Sequence, residues 1–123
     1  FAMINKKRIK PNEIHSMELV GDVTGRNVII VDDMADTLGT MCKAAELLME
    51  KGAKSVRAIA THGILSGKAY TNLESSVLTE LLVSDSIQAK SSPKLKVISC
   101  DRIIGKSIWG LVNRQSIHEL NAI

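Results

Sequence analysis

Val28-Ile29-Ile30-Val31-Asp32-Asp33-Met34-Ala35-Asp36-Thr37-Leu38-Gly39-Thr40 is the stretch that decides the fold. Its first four residues are an unbroken β-branched run, the pattern of a strand buried on both faces of a parallel sheet. An acidic pair follows, then a small polar loop, then a helix from about Thr40. Met41, Ala44, Ala45 and Leu48 recur at i, i+3, i+4 and i+7, which is one face of that helix. Gly52 stands where a glycine closes a helix C-terminus. Strand, polar loop and helix together form the unit of an open α/β sheet, whose ligands gather at the carboxyl ends of the strands.

The same alternation extends in both directions. Upstream, residues 2–5 read as a short strand, 7–16 as a polar loop containing Pro11, 17–20 as a second short strand and 21–25 as a turn. Downstream come an apolar strand over 56–60, a short helix over 67–73 and a third strand over 78–83. A polar loop over 84–93 leads to a fourth strand over 95–98. Asp101 reads as the N-cap of a final helix, with Ile104, Ile108, Leu111 and Val112 on one face. Strands alternating with helices predict a Rossmann-like α/β fold with a mainly parallel sheet flanked by helices. No repeat or low-complexity segment interrupts 1–123, so a single domain is expected.

The chain has 123 residues, 45% of them apolar and 24% charged, a mix that supports a globular core. No apolar run approaches the ~20 residues of a membrane helix, and the start lacks the long apolar stretch of a secretory signal. The chain opens on Phe1, inside a predicted strand, which points to a piece of a longer protein. The net charge of +3 is concentrated in Lys6, Lys7, Arg8 and Lys10; without them the chain is nearly neutral. Such a cluster marks a solvated loop or a polyanion site. Nucleic acid is a poor candidate partner, because Phe1, Tyr70 and Trp109 are the whole aromatic complement and offer no stacking platform. Cys42 and Cys100 have no metal-ligand spacing, which predicts free thiols in a reducing, cytoplasmic setting.

The chemistry concentrates in the opening stretch. A helix N-terminus presents unpaired N–H groups and the positive end of the helix dipole, so the 36–40 segment is suited to a phosphate. Gly39 permits close backbone approach, and Thr37 and Thr40 add hydroxyl donors. Asp32 and Asp33, one step earlier, can accept hydrogen bonds from vicinal hydroxyls. A phosphorylated sugar satisfies both halves. Asp and Thr also serve as ordinary helix caps, but three carboxylates, two threonines and a glycine within nine residues exceed what one cap needs. Two other phosphate motifs fail. Gly105-Lys106-Ser107 has Cys100 where a P-loop requires glycine, and the segment from Gly63 to Gly67-Lys68 has the wrong spacing and continues with Ala69. His62 reads as a hydrogen-bonded loop histidine, and His15 and His118 carry no signal.

With these motifs assembled, the chain resembles the ribose-phosphate pyrophosphokinases. Asp32-Asp33-Met34-Ala35-Asp36-Thr37-Leu38-Gly39-Thr40 is similar to that family's sugar-phosphate signature. Asn5-Lys6-Lys7-Arg8 resembles its flexible catalytic loop, Gly21-Asp22-Val23-Thr24-Gly25-Arg26 its turn, and Ala60-Thr61-His62-Gly63-Ile64-Leu65-Ser66-Gly67 its next strand end. Residues 79–87 resemble the strand and loop after that. The chain departs from the pattern at Asn5, Lys7 and Ile9, and Leu38 is bulky for a phosphate cup.

The resemblance implies a type I phosphoribosyltransferase-like fold, here a C-terminal domain without its N-terminal partner and upstream strands. It implies transfer of the β,γ-diphosphoryl group of ATP to the C1 hydroxyl of ribose 5-phosphate, with Mg²⁺. Asp36, Thr37, Leu38, Gly39 and Thr40 would hold the 5-phosphate, and Asp32 and Asp33 the ribose hydroxyls and, indirectly, the metal. Lys6 and Arg8 would close over the triphosphate. Ser66, Gly67 and Ser116 would lie near a subunit contact and an effector site for ADP or phosphate, in a dimer-based hexamer. The piece alone is expected to be inactive. A nucleobase phosphoribosyltransferase and a non-catalytic regulatory subunit related to the synthetase are the competing readings.

Overall fold

The computed structural model describes residues 1–7 and 16–118. Four strands, β3 (Asn27–Ala35), β4 (Ser55–Gly63), β5 (Leu81–Ser84) and β6 (Leu95–Ile98), form one parallel sheet in sequential order. Helix α1 (Gly39–Glu50) links β3 to β4, and α2 (Ala69–Ser75) lies between β4 and β5. Helix α3 (Asp101–Val112) follows β6. A separate antiparallel pair, β1 (Met3–Lys7) and β2 (Ser16–Val20), sets Lys6 opposite Met17. The α/β class with a parallel sheet and flanking helices is therefore as expected. No helix among the described residues is long and apolar enough to cross a membrane.

Period-two alternation sorts the sheet into two faces. Val28, Ile30, Val56, Ala58, Ala60, Leu81, Val83 and Leu95 pack into one core with Met41, Cys42, Ala45 and Leu48 of α1 and Ala69 and Leu73 of α2. The α1 face read from its periodicity is the buried one. The helix ends in a Schellman motif: Gly52 N–H donates to Met49 O and Ala53 N–H to Leu48 O, each at 3.0 Å, with Gly52 at φ +92°.

Several boundaries differ from the sequence reading. β3 runs on to Ala35 because β4 keeps pairing with it, Asp32 with Ala60 and Met34 with His62, so both aspartates lie within the strand. Lys6 belongs to β1 and not to a loop. Helix α2 starts at Ala69 because Gly67, at φ +56°, is left-handed. Asp101 is the first residue of α3, and Cys100 is its cap. Leu78 is buried beside β5 without being part of it.

Two larger corrections concern apolar surface. The strands were expected to be buried on both faces. Among the described residues only one face is covered, and Val31 is 77% exposed, with Ile29, Ile59 and Ile98 also open to solvent. The apolar face of α3 is likewise uncovered: Ile104, Ile108, Leu111 and Val112 are all exposed, and Gly110 alone in that helix is buried.

Candidate functional site

At the carboxyl end of β3 a cavity of about 220 Å³ is lined by Lys6, Asp32, Met34 and the loop from Ala35 into the start of α1. Alternation along β3 explains the selection. Asp32 shares the side of Val28 and Ile30, which faces α1, whereas Asp33 shares the side of Ile29 and Val31. Asp32 therefore lines the cavity and Asp33 does not. The two carboxylates expected to act together diverge, although the Asp33 N–H donates to Asp32 Oδ1 at 2.9 Å.

The loop ends in an unusual cap. Leu38 sits at φ +66° and supplies no side-chain hydrogen bond to the helix start. A left-handed conformation is strained for leucine, and burial of its side chain to 4% exposure offsets that strain. The left-handed residue is thus Leu38 and not Gly39. Gly39 has ordinary backbone angles, and a Cβ built on it would meet only Thr37 Oγ1, at 3.9 Å. Helix α1 consequently opens onto the cavity with no side-chain cap on its first-turn N–H groups, the arrangement that receives anions.

The segment after β4 holds this loop in place. Ile64 N–H and Leu65 N–H donate to Ala35 O at 2.9 and 3.1 Å. The Ser66 hydroxyl donates to Asp36 Oδ1. Asn72 Nδ2, on α2, donates to Thr37 O at 2.8 Å. Sequence reasoning missed Asn72 as a contributor to the site, together with the lining residues Met34 and Met41. The available signal was position: Asn72 falls in the stripe of Ala69 and Leu73 at i+3 and i+4, a polar side chain on an apolar helix face.

Of the other candidates, Lys6 joins Asp32 at the cavity, and Arg8 lies outside the described residues. Gly67 is in an open turn, with nothing near a Cβ built on it. Ser116 is distant in the chain and exposed, its hydroxyl accepting from His118 N–H at 3.1 Å. His62 Nδ1 lies 2.8 Å from Ser86 Oγ, a hydrogen-bonded histidine as expected. Both cysteines are free, and burial raises the Cys42 thiol pKa. No cluster of three or more potential metal ligands occurs among the described residues.

The family model for the phosphoribosyl synthetase-associated domain matches residues 2–121. The chain belongs to that family. Among curated relatives of this family member, a ribose-phosphate pyrophosphokinase of Caulobacter vibrioides is 46% identical over 123 residues, covering 97% of the chain and 39% of that protein. Ribose-phosphate pyrophosphokinase 3 of Saccharomyces cerevisiae is 48% identical over 124 residues, again covering 39% of the relative. The solved phosphoribosylpyrophosphate synthetase of Mycobacterium smegmatis superposes with a TM-score of 0.83 at 35% identity, over 92% of the chain and 37% of that structure. The family domain described here thus spans about two fifths of the length of the relatives it matches.

Proposed function

We propose that this chain is the sugar-phosphate-binding part of a ribose-phosphate pyrophosphokinase, the partial C-terminal domain of an enzyme that joins ribose 5-phosphate and ATP to give phosphoribosyl pyrophosphate and AMP. The single observation that carries the reading is the convergence of Lys6, Asp32 and the uncapped start of α1 on one cavity. The relatives' names supply the reaction class.

In this reading the 5-phosphate sits against the N–H groups and hydroxyls of Thr37, Leu38, Gly39 and Thr40, with Asp36 completing the loop. The space in front of Gly39 supports the assignment, because neither strain nor crowding accounts for a glycine there. Asp32 accepts the ribose hydroxyls and thereby orients the C1 hydroxyl. That hydroxyl gives up its proton to water as it attacks the β-phosphorus of ATP, the bond from that phosphorus to the α,β-bridging oxygen breaks, and AMP leaves with that oxygen. Lys6, with Arg8 beyond it, neutralises charge that develops on the transferring group, which is where positioning and electrostatics act in such reactions.

Mg²⁺ takes one or two carboxylates and completes its shell with water and substrate phosphate oxygens. Asp32 offers one such hard oxygen ligand at the cavity, which fits an ion that takes a single protein carboxylate, whereas the Asp33 carboxylate is turned to the other side of the strand. Bound there, it would supply charge neutralisation of the triphosphate. The free thiols fit a cytoplasmic setting.

Calorimetric titration with ribose 5-phosphate tests the site. Binding that Asp32→Ala and Thr37→Ala both weaken supports it. Binding of equal strength in all three proteins sinks it. Pyrophosphate release that depends on an added nucleobase would favour a phosphoribosyltransferase instead.

A further inference from the structure

We propose that Ser66 and Asn72 are positioning residues, which hold the 35–38 loop in its anion-receiving shape from the neighbouring β4–α2 segment. The inference rests on the reading of that loop as a phosphate site. Three consecutive residues of the loop are anchored, each by a different group. Ala35 O accepts from Ile64 and Leu65 N–H, Asp36 Oδ1 from the Ser66 hydroxyl, and Thr37 O from Asn72 Nδ2 at 2.8 Å. The partners lie 30 and 35 residues away along the chain for Ser66 and Asn72.

The Asn72 bond has a directional consequence. The C=O and N–H of a trans peptide point in opposite directions, and no peptide in the described chain is cis. With Thr37 O turned to Asn72, the Leu38 N–H points away from α2. Thr37, Leu38 and Gly39 line the cavity, and no residue of α2 does. Asn72 therefore orients a donor toward the ligand side while touching no ligand itself. It also fixes the peptide that precedes the left-handed Leu38, where the backbone must leave the strand and enter α1. Ser66 does the same for Asp36: with one carboxylate oxygen tied to the hydroxyl, the side chain is kept from swinging into the cup, where its charge would repel a phosphate.

The experiment uses the 123-residue chain and two probes, inorganic phosphate and ribose 5-phosphate, followed by calorimetry and by the amide shifts of Leu38, Gly39 and Thr40. Asn72→Leu keeps a similar size, removes the donor and adds no charge. Ser66→Ala removes the hydroxyl, and Ser66→Thr retains it. The expected result is that Asn72→Leu and Ser66→Ala each weaken both probes by the same factor, about tenfold. Ser66→Thr should bind like the unaltered chain, and the shifts of Leu38 and Gly39 should move in Asn72→Leu before any ligand is added. A residue that merely supported the fold would lower the melting temperature and leave those shifts and affinities alone. Should Asn72→Leu not melt cooperatively, the exposed Ser66 pair decides the matter. Undiminished binding in the folded variants, or equal loss in Ser66→Ala and Ser66→Thr, overturns the positioning role alone. Failure of the unaltered chain to bind either probe overturns the phosphate reading and this inference together.

Discussion

Ser99 Oγ donates to Asp85 Oδ2 at 2.7 Å, and the other oxygen of that carboxylate accepts the Cys100 backbone N–H at 2.8 Å. The pair stitches the end of β5 to the start of α3. These bonds, that from Ser99 foremost, hold the Asp85 pKa below its ordinary value. The folded chain therefore binds fewer protons here than the unfolded one. The stabilisation is complete above the ordinary carboxylate pKa of about 3.9 and disappears as pH falls through the lower folded value. Asp85→Ala should speed hydrogen exchange at the amides of residues 101–104 at neutral pH. The difference from the unaltered chain should shrink in acid, and a difference independent of pH would refute the account.

Gly39→Ala separates stability from binding. The backbone there is unstrained, and the new Cβ would meet only Thr37 Oγ1 at 3.9 Å. Alanine is also the better helix former, so the folded chain should gain up to about 1 kcal/mol in chemical denaturation. Ribose 5-phosphate affinity should fall in the same protein if the proposed site is correct, because the methyl group would occupy the space assigned there to the phosphate. A gain in stability with affinity retained would show that the glycine does not serve the ligand.

Gly63 has a different reason to be glycine. A Cβ at this position would lie 3.0 Å from both Val83 γ-carbons, and Val83 is buried in the core. Gly63→Ala should cost about 1–3 kcal/mol through overpacking. Val83→Ala alone leaves a cavity, but combined with Gly63→Ala it removes the two γ-carbon contacts and leaves only the Val83 Cβ close, at 3.1 Å. Urea melts should therefore show the double variant losing less than the sum of the single losses. Strict additivity would mean that the contact is not the cause.

The two thiols should react at different rates. Cys42 is buried among the core residues of α1, and desolvation raises its pKa above the ordinary thiol value, so little thiolate is present near neutrality. Cys100 caps α3 and is partly exposed. Mass spectrometry after iodoacetamide treatment of the native chain should find Cys100 modified well before Cys42, and denaturant should abolish the difference. Equal rates in the native chain would contradict the packing described for α1.

Much of this was legible from short-range pattern. The buried face of α1 and its glycine stop follow from residues within a few turns of one another, and the acidic signature announces the loop at the end of β3. Other readings failed where local pattern carries no information. The run from Val28 to Val31 reads as buried on both faces, yet nothing among the described residues covers the side of Ile29 and Val31. The apolar stripe of α3 correctly marks a helix, but a stripe cannot say whether a surface exists to receive it. Gly39 looks like the flexible residue of the cup, whereas Leu38 takes the left-handed angle because the core holds its side chain.

By itself, then, the amino-acid order determined the elements, their α/β alternation and the placement of an acidic, threonine-bearing signature at a strand end, because periodicity, turn chemistry and helix stops act between neighbours in the chain. Tertiary structure alone decided that Asp32 and not Asp33 turns to the cavity beside Lys6, that Asn72 and Ser66 reach across to the loop, and that one face of the sheet is left uncovered. Those outcomes depend on strand length, register and packing between segments 30 or more residues apart, where each contact exists only once the sheet has brought its partners together.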